Sequence, residues 1–266
     1  MDGPGAVNVR GLMIAKHACA TRESRLRDIG KSAFGCAGCP LRDVCLPAGL
    51  SDAELAQLQR SIGARRRVKR GELLWEAGEE LKALYAVRLG FLKSFVVTND
   101  GQVQVVRFQM SGEIVGLDAI ATGRHQSTTV ALDDIEVCPL PFVELQALFE
   151  RAPALQRQFF RMMSAQIGRD QQSMALLGTM RADQRLAIFL LKLSEHYRAR
   201  GYSANEFVLR MTREELGNYL GLKLETVSRL MSRLQREGLI RVANKAVKLL
   251  DIAALREMTE RRSADA

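Results

Sequence analysis

The sequence predicts an α+β protein in three successive parts: an N-terminal antiparallel β-roll, a long amphipathic helix and a C-terminal winged helix-turn-helix. Three observations predict it. Between Val68 and Phe142 short apolar runs are punctuated by glycine at regular spacing, which is the pattern of an all-β module. From Pro153 the apolar period lengthens to that of a helix. Residues 211–250 then place two short helical segments around a glycine-containing turn, followed by two strand-like runs. With 266 residues, 47% hydrophobic and 26% charged, the chain has room for about two domains of ~100–200 residues and a buried core. That composition excludes a single stapled module and a disordered or collagen-like chain.

Residues 1–35 show no sustained period and read as a loosely ordered arm, with Cys19 and His17 as its only chemically notable groups. The apolar run Gly11 to Ala15 is too short for a secretory signal, and no stretch approaches the ~20 apolar residues of a membrane-spanning helix. A cytoplasmic address without membrane attachment is expected. Five cysteines, an odd number in a reducing compartment, argue against a disulfide framework. Ser51 with Glu54 three residues on forms a capping box, so a helix with Leu55, Leu58 and Ile62 on one face is expected to run to about Gly63.

The expected strands are Leu73 to Trp75, Leu84 to Val87, Leu92 to Val97, Val103 to Phe108, Ile114-Val115, Thr128 to Leu132 and Ile135 to Cys138. Asn99-Asp100-Gly101 is a hairpin turn, since these residues tolerate positive φ. Beyond Pro153, Phe159, Met163, Ile167, Asp170, Met174 and Leu177 approximate a heptad seam, so this helix is expected to pair with another. Asp170 is the exception on that seam. In a parallel homodimer its two copies would repel by roughly 0.7–3 kcal/mol at about 6 Å, making association weak enough to regulate.

Thr212 to Gly221 reads as a capped helix stopped by glycine, and Leu224 to Gln235 follows at once with Val227, Leu230, Met231 and Leu234 on its packing face. The opposite face carries Lys223, Glu225, Ser228 and Arg229. Glu accepts from the cytosine amino group, Arg donates a bidentate fork to guanine and Ser serves either way, so Glu225, Ser228 and Arg229 are the candidate base readers. Arg233, Arg236 and Lys248 are expected to contact phosphate, and the runs at residues 238–242 and 247–249 to form the wing. A net charge of +9 and a pI near 9.6 agree with a polyanionic partner.

Cys36, Cys39 and Cys45 follow a C-x2-C-x5-C spacing in which Gly38 and Pro40 bend the chain, as a metal centre needs. The fourth candidate ligand is Cys138, with Cys19 the competitor. His17, His125 and His196 show no ligand spacing. Four thiolates suit either tetrahedral zinc or an iron–sulfur cluster, and spacing does not separate them.

These motifs together resemble the FNR (fumarate and nitrate reduction regulator) branch of the CRP/FNR superfamily of transcription regulators. The resemblance spans about residues 34–258 and rests on Cys36 to Leu41 with Cys45 and Cys138, Leu84 to Arg88, Gly112 to Ile120, and Leu216 to Leu222 with Glu225 to Arg229. It implies a cupin-like sensor roll and a 4Fe-4S cluster on Cys36, Cys39, Cys45 and Cys138 that oxygen degrades. It further implies that Ile167 and Asp170 control dimerisation, and that Glu225, Ser228 and Arg229 read palindromic TTGAT-type half-sites. Double-stranded DNA, a second copy of the chain and RNA polymerase are the implied partners. The implied division is an arm at 1–35, cysteine loop and roll at 36–150, dimerisation helix at 151–180, winged helix-turn-helix at 181–258 and a tail at 259–266.

A cyclic-nucleotide receptor is the rival within the superfamily; relatives of that kind place a Glu and an Arg-Ser pair where this chain has Leu117 and Gln126-Ser127, so cyclic-nucleotide binding is not expected. Pro40 beside a ligand departs from the enteric pattern and removes an amide that could reach a cluster sulfur. No phosphate loop, nucleophile elbow or His-Glu metal pair is present, so an enzyme is not expected. The alternatives are a zinc-stabilised constitutive DNA-binding protein and an enzyme or electron carrier that uses a cluster.

Overall fold

The computed structural model describes residues 35–260. The expected arm with His17 and Cys19, and the end of the expected tail, fall outside the described residues. Two 3-10 turns, Cys36–Gly38 and Arg42–Val44, lead the cysteine loop into α1 (Asp52–Ser61). The capping box forms as expected: the Glu54 amide donates to Ser51 Oγ at 3.4 Å and the Ser51 amide to Glu54 Oε2 at 3.0 Å. Two orphan donors at the helix start are thereby satisfied, and Leu55 and Leu58 turn into the core.

The roll comprises β1 (Arg66–Val68), β2 (Leu73–Trp75), β3 (Ala83–Leu89), β4 (Phe91–Val97), β5 (Val103–Met110), β6 (Ile114–Val115), β7 (Thr128–Ala131) and β8 (Ile135–Pro141). They form two four-stranded antiparallel sheets, ordered β1-β8-β3-β6 and β2-β7-β4-β5. The β4–β5 hairpin turns at the expected Asn99-Asp100-Gly101, with Gly101 at φ +80°. Gly90, between β3 and β4, also has positive φ, and a Cβ there would lie 2.6 Å from Ile135 Cγ2, so only glycine closes this corner. Strand β1 was hidden in the sequence by its arginines. Glu136 on the neighbouring β8 explains it: Arg65, Arg67 and Arg88 approach that single carboxylate at 3.6, 3.7 and 2.6 Å, so a basic run can lie beside the core.

Beyond the roll come α2 (Phe142–Arg151) and α3 (Pro153–Thr179), the latter opened by a proline whose missing amide costs nothing at a first helical position. The C-terminal domain comprises α4 (Ala182–Arg198), β9 (Glu206–Val208), α5 (Arg213–Leu220), α6 (Leu224–Arg236), β10 (Ile240–Ala243), β11 (Ala246–Leu249) and α7 (Ile252–Glu260). The wing hairpin β10–β11 gains a third strand, β9, whose three residues gave no periodic signal.

Two apolar cores join parts of the chain that are distant in sequence. One unites Leu46 and Leu50 of the cysteine loop, Leu58 of α1, Leu84 and Leu140 of the roll, and Leu145, Leu155 and Phe159 of α2 and α3. The other unites the C-terminal domain with Phe91, Met110 and Leu132 of the roll. Each fully buried leucine contributes about 1.5–3 kcal/mol, so these shared cores tie the loop to the foot of α3 and the C-terminal domain to the roll.

Candidate nucleic-acid interface and metal centre

In α5 the Thr212 amide donates to Glu215 Oε2 at 2.7 Å and the Glu215 amide to Thr212 Oγ1 at 3.1 Å, while Gly221 ends the helix at φ +63°. The Leu222 amide folds back onto the Gly217 carbonyl at 2.8 Å. A Cβ on Gly217 would come within 2.6 Å of the Leu222 carbonyl oxygen, so the tight turn requires a glycine there. This turn sets α6 across α5 with Val227, Met231 and Leu234 buried beneath it. Glu225 and Arg229 are exposed and Ser228 is half-buried, which brings the three expected base readers onto one accessible face. Arg213, which sequence reasoning did not single out, donates to Ser228 Oγ at 3.4 Å.

Arg233 differs from expectation. It donates to Asp183 Oδ2 at 2.9 Å and lies 3.2 Å from Glu237, pinning α6 to α4. Burial alone would raise the Asp183 carboxyl, but hydrogen bonds from Arg181 and Arg233 bring it below the ordinary carboxylate range. Arg233 therefore fixes the pose of α6, and Arg236 and Lys248 remain as the expected phosphate contacts; Lys248 lies 3.7 Å from Glu206.

The C-terminal domain rests on the roll through polar contacts that periodicity could not reveal. Lys93 of β4 donates to Glu215 Oε1 at 2.7 Å. The Asn218 side chain donates to the Val103 carbonyl at 2.6 Å and accepts from the Val105 amide, and Gln104 donates to the Asn218 carbonyl at 2.9 Å. Asn218 thus completes the outer edge of β5 as a neighbouring strand would. Arg200 adds a bond to the Ser111 carbonyl.

Cys36, Cys39, Cys45 and Cys138 all line one small cavity, walled by apolar side chains such as Leu41, Leu46 and Leu58. Cys138 reaches it from β8, where it pairs with Ala86 of β3. Burial, reinforced by the charges the neighbouring thiolates would carry, pushes the Cys36 thiol up to about 11. Burial pushes Cys45 up to about 12 and raises Cys138, against which the Arg65 guanidinium acts. Among the described residues no three Cys, His, Asp or Glu side chains are gathered tightly enough for one metal ion. Four partly buried thiols around an apolar cavity are a donor set that fits an iron–sulfur cluster, and four thiolates also suit zinc.

On α3 the inward residues end early: Leu155 and Phe159 are buried, and farther along Ile167, Met174 and Leu177 are 55%, 73% and 44% exposed. Phe159 leaves the expected seam, because its ring packs against Phe149 inside the core shared with the cysteine loop. Phe160, 56% exposed, stands seven residues before Ile167 and fourteen before Met174. Asp170 also differs from its expected isolation. Arg107 of β5 forms an ion pair with Asp170 Oδ2, and Gln166 donates to Oδ1 at 2.8 Å. The carboxylate expected to stand alone is therefore compensated within the chain.

Residues 184–258 match the Crp-like helix-turn-helix domain, and residues 65–152 match the cyclic nucleotide-binding domain. The chain is 47% identical over 235 residues to the transcriptional regulatory protein btr of Bordetella pertussis, covering 88% of this chain and 97% of that protein. It is 40% identical over 229 residues to the fumarate and nitrate reduction regulatory protein of Escherichia coli strain K12, covering 86% and 92%. The structure is similar to that of FixK2 from Bradyrhizobium japonicum, with a TM-score of 0.68 at 26% identity over 77% of this chain and 99% of that one. Among the described residues no helix is long and apolar enough to cross a membrane.

Proposed function

The chain belongs to the FNR branch of the CRP/FNR superfamily, a family of DNA-binding transcription regulators rather than enzymes, and on that premise we propose that it is an oxygen-responsive regulator of anaerobic metabolism genes whose cysteine centre controls homodimerisation. The observation that carries this reading is the core shared by the cysteine loop and the foot of α3, in which Leu46, Leu58 and Leu140 pack with Leu155 and Phe159. An event at the cysteines is then felt at the helix that presents the exposed apolar row.

Cys36, Cys39, Cys45 and Cys138 would hold a 4Fe-4S cluster, which when bound supplies an oxygen-labile tie between the loop and β8. Without a cation to bind, burial keeps Cys36, Cys45 and Cys138 protonated, and the packing of Leu46 and Leu50 holds the loop. Seating the loop firmly stiffens the core around Leu155 and Phe159 and steadies α3 for pairing through Phe160, Ile167 and Met174. Two paired chains then set their α6 helices in successive major grooves, roughly 34 Å apart, on a palindrome of TTGAT-type half-sites. There Glu225, Ser228 and Arg229 read base edges while Arg236 and Lys248 hold phosphates. RNA polymerase joins DNA and the second copy of the chain as a partner, and no cyclic nucleotide enters this reading.

The test is to purify the protein anaerobically, measure iron, sulfide and zinc per chain, and follow the visible spectrum and molecular mass as air is admitted. About four irons and four sulfides per chain, bleaching as dimer gives way to monomer, is the expected result. Zinc, or a metal-free dimer indifferent to air, would replace the oxygen switch with a constitutive regulator and leave the DNA-reading face in place.

A further inference from the structure

Glu136 and Cys138 lie two residues apart on β8 and so share one face of the sheet, the face on which Leu140 joins the core of the cysteine loop. Arg88 stands beside them on β3, two residues beyond Ala86, the cross-strand partner of Cys138. Three guanidinium groups gather around one carboxylate here. Arg88 Nη1 donates to Glu136 Oε1 at 2.6 Å, and Arg65 and Arg67 lie 3.6 and 3.7 Å from the same side chain. Glu136 is buried, Arg65 and Arg88 are half-buried and Arg67 is exposed. Three positive groups against one negative group leave two positive charges in excess. Arg88 also lines the cysteine cavity, whose other charged wall residue, Arg42, turns to the Leu50 carbonyl at 3.4 Å and to Asp52 at 3.8 Å. Arg88 Nε is buried and has no hydrogen-bond partner among the described residues. A buried donor in that position calls for an acceptor.

An excess of partly buried cation beside four cysteines has a chemical match. Four thiolates around a divalent ion, or around a 4Fe-4S core of charge two plus, carry two negative charges in excess, and such a dianion in an apolar cavity is costly unless it is compensated. Resting on the reading of Cys36, Cys39, Cys45 and Cys138 as a metal centre, but not on which metal they hold, we propose that Arg65, Arg67 and Arg88 are the counter-charge of the loaded centre, and that Glu136, which pins them, sets how tightly the metal is kept. Burial is the largest influence on the Cys138 thiol and raises it; Arg65 and Arg88 act to lower it and Glu136 to raise it, so the charges of this group are felt at the sulfur. In the metal-free chain the arginines repel one another around a single carboxylate. Beside four thiolates the same charges attract. Arg88, a cation of the cavity wall with a spare N–H, carries most of the effect, and the exposed Arg67, screened by solvent, carries the least. All four are positioning residues, since none of them supplies a ligand.

The experiment titrates Co2+ into the full-length, metal-free protein under anaerobic conditions, reads the visible spectrum of thiolate-bound cobalt and takes the affinity from competition with a chelator. Iron release to a chelator is then timed for protein reconstituted with iron and sulfide. Arg88→Gln is expected to weaken Co2+ binding roughly 10- to 100-fold and to speed iron release. Arg88→Lys, which keeps the charge, is expected to stay within about threefold of wild type. Glu136→Gln removes the opposing charge and is expected to tighten Co2+ binding roughly three- to tenfold, even as it lowers the thermal stability of the metal-free chain. A merely structural role would weaken binding in both Arg88→Gln and Glu136→Gln. That result, or equal affinities in wild type and all three variants, overturns the proposal and leaves the metal centre standing. A wild type that takes up neither cobalt nor iron overturns both. Should Arg88→Gln not fold without metal, Glu136→Gln decides: tighter binding than wild type supports the proposal, and equal or weaker binding overturns it.

Discussion

At the scale of single residues, the structure moves charge to places the sequence did not assign it. Asp170 sits on a seam by spacing, but its partner Arg107 is 63 residues upstream on another element, and no local pattern joins them. Arg107→Met is expected to expose the repulsion between the two Asp170 carboxylates and raise the dimer Kd about three- to tenfold at low salt, the lower part of the Coulomb range because the site is partly solvated. Adding Asp170→Asn restores wild-type association; sedimentation equilibrium that shows no difference between Arg107→Met and wild type would remove Arg107 from this role. Arg229 is exposed on the reading face, so Arg229→Ala is expected to flatten discrimination at one base pair by ~1–3 kcal/mol, measured by titrating matched and mismatched duplexes at fixed salt. Arg233→Ala should instead lower stability, because it strips Asp183 of a guanidinium. Arg229 and Arg233 are four residues apart in the sequence and look alike there; only the position of Asp183 on α4 separates base reading from bracing.

At the scale of elements, the strands were legible because glycine corners and apolar runs are local, and α5 and α6 because caps and turns are local. Phe159 and Phe160 mark where legibility ends. Adjacent phenylalanines serve a helical period equally well, and the choice between core and seam is made by Phe149 on α2. The docking of α5 on β5 was invisible for the same reason, since Asn218 looks like any polar helix residue until the strand it completes is known. Asn218→Ala removes two hydrogen bonds worth about 1 kcal/mol each. Hydrogen exchange should then quicken at the Val105 amide while the amides inside α6 stay protected. A Val105 amide that exchanges at the wild-type rate would show that the edge is held by other contacts.

At the scale of the whole molecule, the link from cysteines to α3 makes stability depend on pH in a way that metal should erase. The Cys36 and Cys45 thiols are held at about 11 and 12, above the ~8.5 of a free cysteine. A raised thiol stabilises the fold fully below the unfolded value and ceases to as pH rises through the folded one, because the unfolded chain releases its protons first. The metal-free protein is therefore expected to lose stability progressively from about pH 9 upwards. The metal-loaded protein, whose thiolates are already deprotonated, should show a flat profile over the same window in urea titrations. Parallel decline in both forms would mean that the four cysteines do not share a metal. The sequence showed that three of these thiols are neighbours, whereas the place of Cys138 beside them depends on β8 pairing with β3.

Strand β5 is the last strand of its sheet, and its outer row of amides and carbonyls is occupied by Asn218, a side chain of the C-terminal domain. The reading domain is thus also a guard for the roll. A proteolytic fragment cut after α3 would keep the cysteine loop and lose the guard, leaving an open β-edge next to exposed Val97 and Val106, the kind of template on which chains add strand to strand. Such a fragment should polymerise through β5 rather than pair through α3, so severing the two domains would exchange a reversible partner for an irreversible one.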